Sequence, residues 1–205
     1  MTPLQQKILD AALPLIVFEG WTMRTLGHAA ETLGLPKIDA ERAFPGGVVE
    51  CLMLWSQEND RQMETTLNAE YNLESMKIRQ RIATAVLVRL RMHQPHREAI
   101  RRAVAHMALP WNAPKALSAA YRTADCMWRA AGDRSTDYNF YTKRALLVKV
   151  YSSTLMIWLN DDSTEQAETE AFLYRRIEDV MKIEQLKSKG KKLLDKVSFS
   201  FSSHT

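Results

Sequence analysis

The side chains that could do acid–base chemistry or bind a metal ion are scattered along this chain. His93 and His96 stand three residues apart, but Pro95 interrupts the helix that would bring both rings to one face. Asp161 and Asp162 are adjacent at a predicted helix junction, with no histidine or nucleophile beside them. We find no HExxH motif and no glycine-rich phosphate loop. The sequence therefore predicts no catalytic set, no metal site and no cofactor.

The thiols and the net charge set further limits. Cys51 and Cys126 are far apart and form no CxxC motif, which predicts two buried thiols in a reduced compartment. The chain has 205 residues and a net charge of +4. Residues 181–205 contain six lysines and two acidic residues, so this segment carries the whole excess. An anionic partner is therefore expected to meet the C-terminal segment first.

Long segments with apolar residues at helical spacing, and only seven glycines and seven prolines, predict an all-α fold of about nine helices. The pattern predicts a first helix over residues 3–19 and a second that Thr22 caps and that reaches 33. Further helices are predicted over 36–44, 48–69, 73–92, 96–107 and 116–131, then an eighth capped by Ser135 or Thr136 and reaching 159, and a ninth opened by Ser163 or Thr164 and reaching 186. Gly132 is predicted to end the seventh helix. We divide the chain into a tri-helical head of the helix-turn-helix type (1–47), a helical domain (48–186) and a basic amphipathic tail (187–205).

Two features of the eighth helix indicate a surface as well as a core. Phe140 and Tyr141 are consecutive, so their side chains point about 100° apart, and one of them is expected at the surface beside Arg144. Residues 145–159 are apolar nearly all round, which is typical of a central helix or of one shared between a core and a dimer interface.

The head resembles the DNA-binding domain of TetR-type repressors in the runs 8–12, 20–22, 29–30 and 33–35 and in Phe44. In those repressors the third helix enters the major groove. Here residues 21–50 contain three basic and four acidic side chains, a net charge of −1, with Asp39 and Glu41 on the reading helix. Because phosphate neutralisation drives DNA affinity, nucleic acid is not an expected partner. A ligand-responsive transcriptional repressor remains the alternative function.

The segment 131–145, AGDRSTDYNFYTKRA, closely resembles the signature of the lipid-binding accessory proteins of ubiquinone biosynthesis, whose fold is TetR-like. The stretches 89–92, 109–114 and 127–128 are similar to the same family in the same order. The resemblance covers roughly residues 5–185.

This resemblance implies a non-catalytic protein that forms a homodimer, binds an isoprenoid lipid or quinone intermediate, and presents it to the demethoxyubiquinone hydroxylase. It implies that the hydroxylase docks on a patch formed by Leu90, Met127, Phe140, Tyr141 and Arg144. Relatives often carry tryptophan at the position of Phe140, so this chain has lost stacking area and an N–H donor there.

Several methionines and tryptophans lie on the later helices, where such residues form either a plain core or the lining of an apolar cavity. With the resemblance, a lipid cavity is the expectation. The residues we expect to line it are Val104, Met107, Trp128, Leu147 and Tyr151.

The basic tail is expected to bind an anionic membrane surface. Leu193, Leu194, Val197 and Phe201 recur at spacings of three and four, and Lys191, Lys192 and Lys196 flank them. A solvated basic tail, or a helix folded back on the domain, is the alternative. The chain shows no secretory signal, transit peptide or apolar run long enough to span a bilayer. We therefore expect a bacterial protein, cytoplasmic and peripheral on the inner membrane, with mitochondrial eukaryotic relatives.

Overall fold

The computed structural model describes residues 1–133 and 138–182, and within them all regular secondary structure is helical. The α-helices are α1 (Pro3–Glu19), α2 (Met23–Thr32), α3 (Ile38–Ala43), α4 (Gly47–Glu70), α5 (Ile78–Met92), α6 (Arg97–Met107), α7 (Ala113–Ala130), α8 (Tyr138–Trp158) and α9 (167–182). The prediction of an all-α fold with about nine helices is confirmed for the described part of the chain.

The helix bounds differ from the predicted ones mainly at short 3₁₀ turns. Residues Leu73–Ser75 form such a turn, so α5 begins five residues later than the periodicity predicts. Another turn at Pro110–Asn112 leads into α7, which begins three residues earlier because Pro114 fits its first turn. The predicted caps at Ser135 and Thr136, and the predicted end of the ninth helix, lie outside the described residues.

A tryptophan joins the head, α1 to α3, to the rest of the molecule. The Trp21 indole is buried and donates a hydrogen bond of 2.9 Å to the carbonyl of Ala99 on α6. Its ring lies 5.5 Å from that of Trp55 on α4. Thr22 caps α2, as predicted, by accepting a 3.0 Å hydrogen bond from the amide of Thr25. The head therefore shares its core with α4 and α6.

The larger core lies among α4, α5, α7 and α8. In α8, Leu147, Val150 and Trp158 are buried, whereas Met156 is half exposed. The apolar stretch 145–159 is thus buried along one side and partly open along the other. Cys51 and Cys126 are free and buried, as predicted, and burial raises the pKa of both thiols.

Gly132 ends α7, as predicted, because the chain needs a left-handed residue there. Its φ is +88°, and its amide donates to the carbonyl of Arg129 at 2.9 Å. The amide of Asp133 donates to the carbonyl of Trp128 at 3.0 Å, which completes a Schellman motif. A side chain at this position would meet the Arg81 guanidinium at 3.1 Å. The turn therefore fixes the direction in which the chain leaves α7.

Asp161 holds the junction between α8 and α9. Its carboxylate accepts hydrogen bonds from the amide of Ser163 at 2.9 Å and from the amide of Thr169 at 2.7 Å, and both hydroxyls add to them. Burial alone would raise the pKa of this carboxyl, but the hydrogen bonds outweigh it and lower the pKa from 3.8 to about 2.

We expect Asp161→Asn to lower the free energy of unfolding by about 1–2 kcal/mol at neutral pH, because asparagine turns an N–H toward donors. The pKa of the folded state is the lower one, so the carboxylate contributes its full stability above pH 3.8 and loses it as the pH falls through 2. Urea denaturation at several pH values measures this. Asp162→Asn, at the exposed neighbour, is the control and should change stability by less than about 0.5 kcal/mol. Equal losses for both variants would contradict the assignment.

Candidate functional site

An apolar cavity, here called the central cavity, opens among α4, α5, α6, α7 and α8. Its volume is about 340 Å³, within the range of ligand-binding pockets. Its lining consists of Leu52, Met53, Trp55, Ser56, Asn59, Arg89, His93, Ile100, Ala103, Val104, Met107, Ala108, Ala116, Ala119, Ala120, Thr123, Tyr151, Ser152, Leu155 and Met156. Small alanine side chains from α7 leave much of this space free.

One wall of the central cavity is polar. Arg89 is 3% exposed and pairs with the Asp60 carboxylate at 3.1 Å. The same carboxylate pairs with Arg122 at 3.1 Å and accepts a hydrogen bond of 2.8 Å from the Thr123 hydroxyl. Burial, together with the charge of Arg89, holds the pKa of His93 well below 6.5, so its ring is neutral.

The predicted lipid-binding residues fall into two groups. Val104, Met107 and Tyr151 line the central cavity. Trp128 and Leu147 instead line a second space, here called the α8–α9 cavity, of about 340 Å³ among α5, α7, α8 and α9. The five residues therefore do not line one cavity, because α7 and α8 each present different faces to the two cavities.

The signature segment brings an exposed aromatic pair to the start of α8. Tyr141 is 63% exposed, and the half-buried ring of Phe140 packs edge-on against it at 5.1 Å. The guanidinium of Arg144 lies 3.3 Å from the centre of the Phe140 ring. Arg144 is itself buried and pairs with Asp125 at 2.6 Å and with Asp133 at 3.2 Å. The expectation that one of the two aromatics lies at the surface is confirmed.

The five predicted docking residues do not form one exposed patch. Leu90, Met127 and Arg144 are between 0% and 1% exposed, so a partner cannot contact them in this conformation. Leu90 and Met127 face the core because their helices pack against each other there, and Arg144 turns inward to its two carboxylates. Of these five residues, only Phe140 and Tyr141 are accessible to a partner. The buried guanidinium of Arg144 stacks on the ring of Phe140.

The polar wall of the central cavity escaped the sequence analysis. Arg89 interrupts an apolar run between Val88 and Leu90, and a charged residue in such a run is a signal that was available. His93 follows one turn later on the same side of the chain. Its burial was not evident, because Pro95 suggested a loop.

The membrane-binding residues predicted in the tail lie outside the described residues; they are Lys191, Lys192, Leu193, Leu194, Lys196, Val197 and Phe201. None of the helices within 1–133 and 138–182 combines the length and apolar character needed to cross a bilayer. In the same two ranges no cluster of three or more histidine, cysteine or acidic side chains could hold a metal ion.

The fold is similar to that of a solved TetR transcriptional regulator from Nitrosomonas europaea. The superposition covers 86% of this chain and 97% of that chain, with a TM-score of 0.70 and 19% sequence identity. At this identity the likeness shows the fold alone, which is TetR-like.

The sequence comparisons agree with the signature segment. The COQ9 family model matches residues 113–184. The mitochondrial ubiquinone biosynthesis protein COQ9 of Homo sapiens is 36% identical over 201 residues, or 93% of this chain, and that of Rattus norvegicus is also 36% identical over 93% of the chain. The Drosophila melanogaster protein is 28% identical over 98% of the chain. The chain spans about 63% of the human relative's length. On these matches, the chain is similar to the COQ9 family of ubiquinone biosynthesis proteins.

Proposed function

We propose that this protein binds an isoprenoid lipid or quinone intermediate in its helical domain and presents it to the demethoxyubiquinone hydroxylase of ubiquinone biosynthesis, without catalysing a reaction itself. The relatives are named ubiquinone biosynthesis proteins, which supports the pathway. The observation that carries the lipid-binding part is the central cavity, because a close-packed helical domain would leave no such apolar space.

The size of the cavity suggests how a long ligand is held. A volume of about 340 Å³ is at the lower end for ligand pockets, so it has room for the head and the first part of a chain. The rest of an isoprenoid tail must leave through the opening. A ligand held in this way stays within reach of a partner enzyme.

Solvent extraction of the purified protein, followed by mass spectrometry, tests the proposal. We expect isoprenoid quinones, their precursors or other long-chain lipids, in a molar ratio to the protein that approaches one. If the protein yields no lipid and takes up none from vesicles containing ubiquinone, the proposed function is contradicted.

We further propose that the hydroxylase docks on the exposed aromatic pair, Phe140 and Tyr141. Large aromatic side chains that are exposed in the free protein and backed by a buried arginine are typical of interface anchors. The cation–π contact with Arg144 fixes the Phe140 ring, so little side-chain entropy is lost on binding.

Tyr141→Asp is expected to weaken hydroxylase binding by about 30-fold or more, because a central aromatic anchor contributes about 2 kcal/mol or more. The exposed position means that the fold should persist. Biolayer interferometry with the purified hydroxylase measures the change. Tyr174→Asp, at a partly exposed tyrosine on α9, is the matched control and should bind normally. Unchanged affinity of the Tyr141 variant would refute the docking face.

The head has few cations to offer DNA, so we do not favour the repressor. Arg42 pairs with Asp39 at 2.9 Å, and Lys37 pairs with Glu31 at 3.4 Å. Two of the three basic side chains in residues 21–50 are therefore already matched by carboxylates of the head. We propose that the head packs against the helical domain and does not bind DNA.

We also propose that the protein is a homodimer whose interface is formed by the partly open side of α8.

The tail is proposed to bind the membrane, at the cytoplasmic face of the inner membrane in a bacterium. Its lysines each contribute about 1 kcal/mol near an anionic leaflet, and the apolar side chains between them add to this. Deleting residues 185–205 should abolish sedimentation with vesicles that contain phosphatidylglycerol. Sedimentation that persists after the deletion would defeat the proposal.

A further inference from the structure

Arg89 is the sole charged side chain among the described residues that line the central cavity, since the neighbouring His93 is neutral. The other lining residues are apolar or uncharged. Placing a guanidinium at the wall of an apolar cavity is costly unless its charge and its donors are satisfied. The partners of Arg89 therefore determine what the cavity can accept.

The protein satisfies this guanidinium only in part. Its Nη1 lies 3.1 Å from Asp60, but that carboxylate is shared with Arg122 and Thr123. Its Nη2 reaches the carbonyl and hydroxyl oxygens of Ser56 at 3.3 and 3.4 Å, which are long for hydrogen bonds. The Nε and Nη1 atoms are both buried and form no hydrogen bond with the described residues, so the contact of Nη1 with Asp60 is an ion pair only. A guanidinium has five N–H donors, and these two atoms carry three of them, so most of its hydrogen-bonding capacity is unused.

We propose that Arg89 binds the anionic oxygen head of a long-chain amphiphile, with the chain lying along the apolar wall formed by α6, α7 and α8. This inference rests on the lipid-binding part of the proposed function and adds anionic amphiphiles to the neutral quinones as a ligand class. A carboxylate or a similar oxyanion would supply both the missing negative charge and the missing acceptors. The ring N–H of neutral His93 and the amide of Asn59, on the same wall, can donate to a second oxygen.

Three probes of equal chain length test the inference: dodecanoate, dodecanol and dodecylamine, each competed against a fluorescent fatty acid at neutral pH. For the intact protein we expect dodecanoate to bind about tenfold or more tightly than dodecanol, and dodecylamine to bind more weakly than both. This order requires no variant, so it can be measured even where a substitution disturbs folding.

Arg89→Met tests whether Arg89 causes the preference for dodecanoate over dodecanol. Asp60 keeps Arg122 and Thr123 as partners, so the carboxylate is not left alone. The variant should lose the preference for dodecanoate, so that the acid and the alcohol bind with similar affinities. Arg122→Met removes another partner of the same carboxylate from outside the cavity lining, and its preference should stay within about threefold of the original.

The outcomes separate this inference from the function on which it rests. Equal binding of the acid and the alcohol, or a preference that persists in Arg89→Met, would overturn the role of Arg89 while lipid binding stands. Failure of all three probes to bind, with no lipid recovered by extraction, would overturn both.

Discussion

Replacing Arg144 by methionine is expected to lower the free energy of unfolding by about 3–5 kcal/mol, the largest effect on stability that we predict. The guanidinium is buried and bridges two carboxylates, Asp125 on α7 and Asp133 after the α7 turn. Methionine fills a similar volume but removes the cation that bridges the two carboxylates. Asp125 is left with Arg129, and Asp133 is left with Lys143. Urea or guanidinium denaturation, followed by circular dichroism, measures the change.

The control for this prediction uses the same acidic partner. Arg129 pairs with Asp125 at 3.2 Å, but its side chain is 60% exposed. Arg129→Met should therefore cost less than about 1 kcal/mol, as is usual for an ion pair in water. If both variants lose equal stability, the burial of Arg144 does not determine its contribution. Because Arg144 also stacks on Phe140, its variant should bind the hydroxylase weakly even under conditions where it is folded.

Filling the central cavity should remove lipid from the protein. Ala120→Phe places an aromatic ring from α7 in the central cavity, whose volume is about 340 Å³. We expect the amount of lipid recovered by extraction to fall about tenfold or more. Any strain from the added ring is expected to cost no more than about 1–3 kcal/mol. Quantitative mass spectrometry of extracts from equal amounts of folded protein measures the loss.

Ser118→Phe is the matched control, since it adds an aromatic ring of the same kind to the same helix. Ser118 is exposed and does not line the cavity, so its variant should retain lipid. If Ala120→Phe retains as much lipid as the control, the ligand lies elsewhere, and the α8–α9 cavity becomes the next candidate.

Most of the fold could be predicted from the chain because helix periodicity and caps are local. Thr22 and Gly132 act on backbone groups within a few residues, and both were assigned correctly. The errors came where the local pattern was ambiguous. Leu73 and Met76 stand at helical spacing, yet the backbone forms a 3₁₀ turn over Leu73–Ser75 and is extended at Met76 and Lys77 before α5 begins.

The site was less predictable because exposure depends on neighbours that are distant in the chain. The spacing of Phe140 and Tyr141 was enough to expect one of them at the surface. Nothing within the helix indicated that Arg144 would turn inward, since its carboxylates lie 11 and 19 residues earlier. Residue types and spacing offered no reason to separate Trp128 and Leu147 from Val104 as cavity-lining residues. The packing of α7 against α8 places them in different cavities.

The sequence by itself determined the all-α class, the family signature and the position of the excess charge, because each follows from residue types and short spacings. Only the tertiary structure decided that Arg89 and His93 face an apolar cavity, and that Leu90 and Met127 are buried instead of forming a docking surface. The physical reason is that helix spacing specifies which residues share a side, whereas packing specifies whether that side meets solvent, a cavity or another helix.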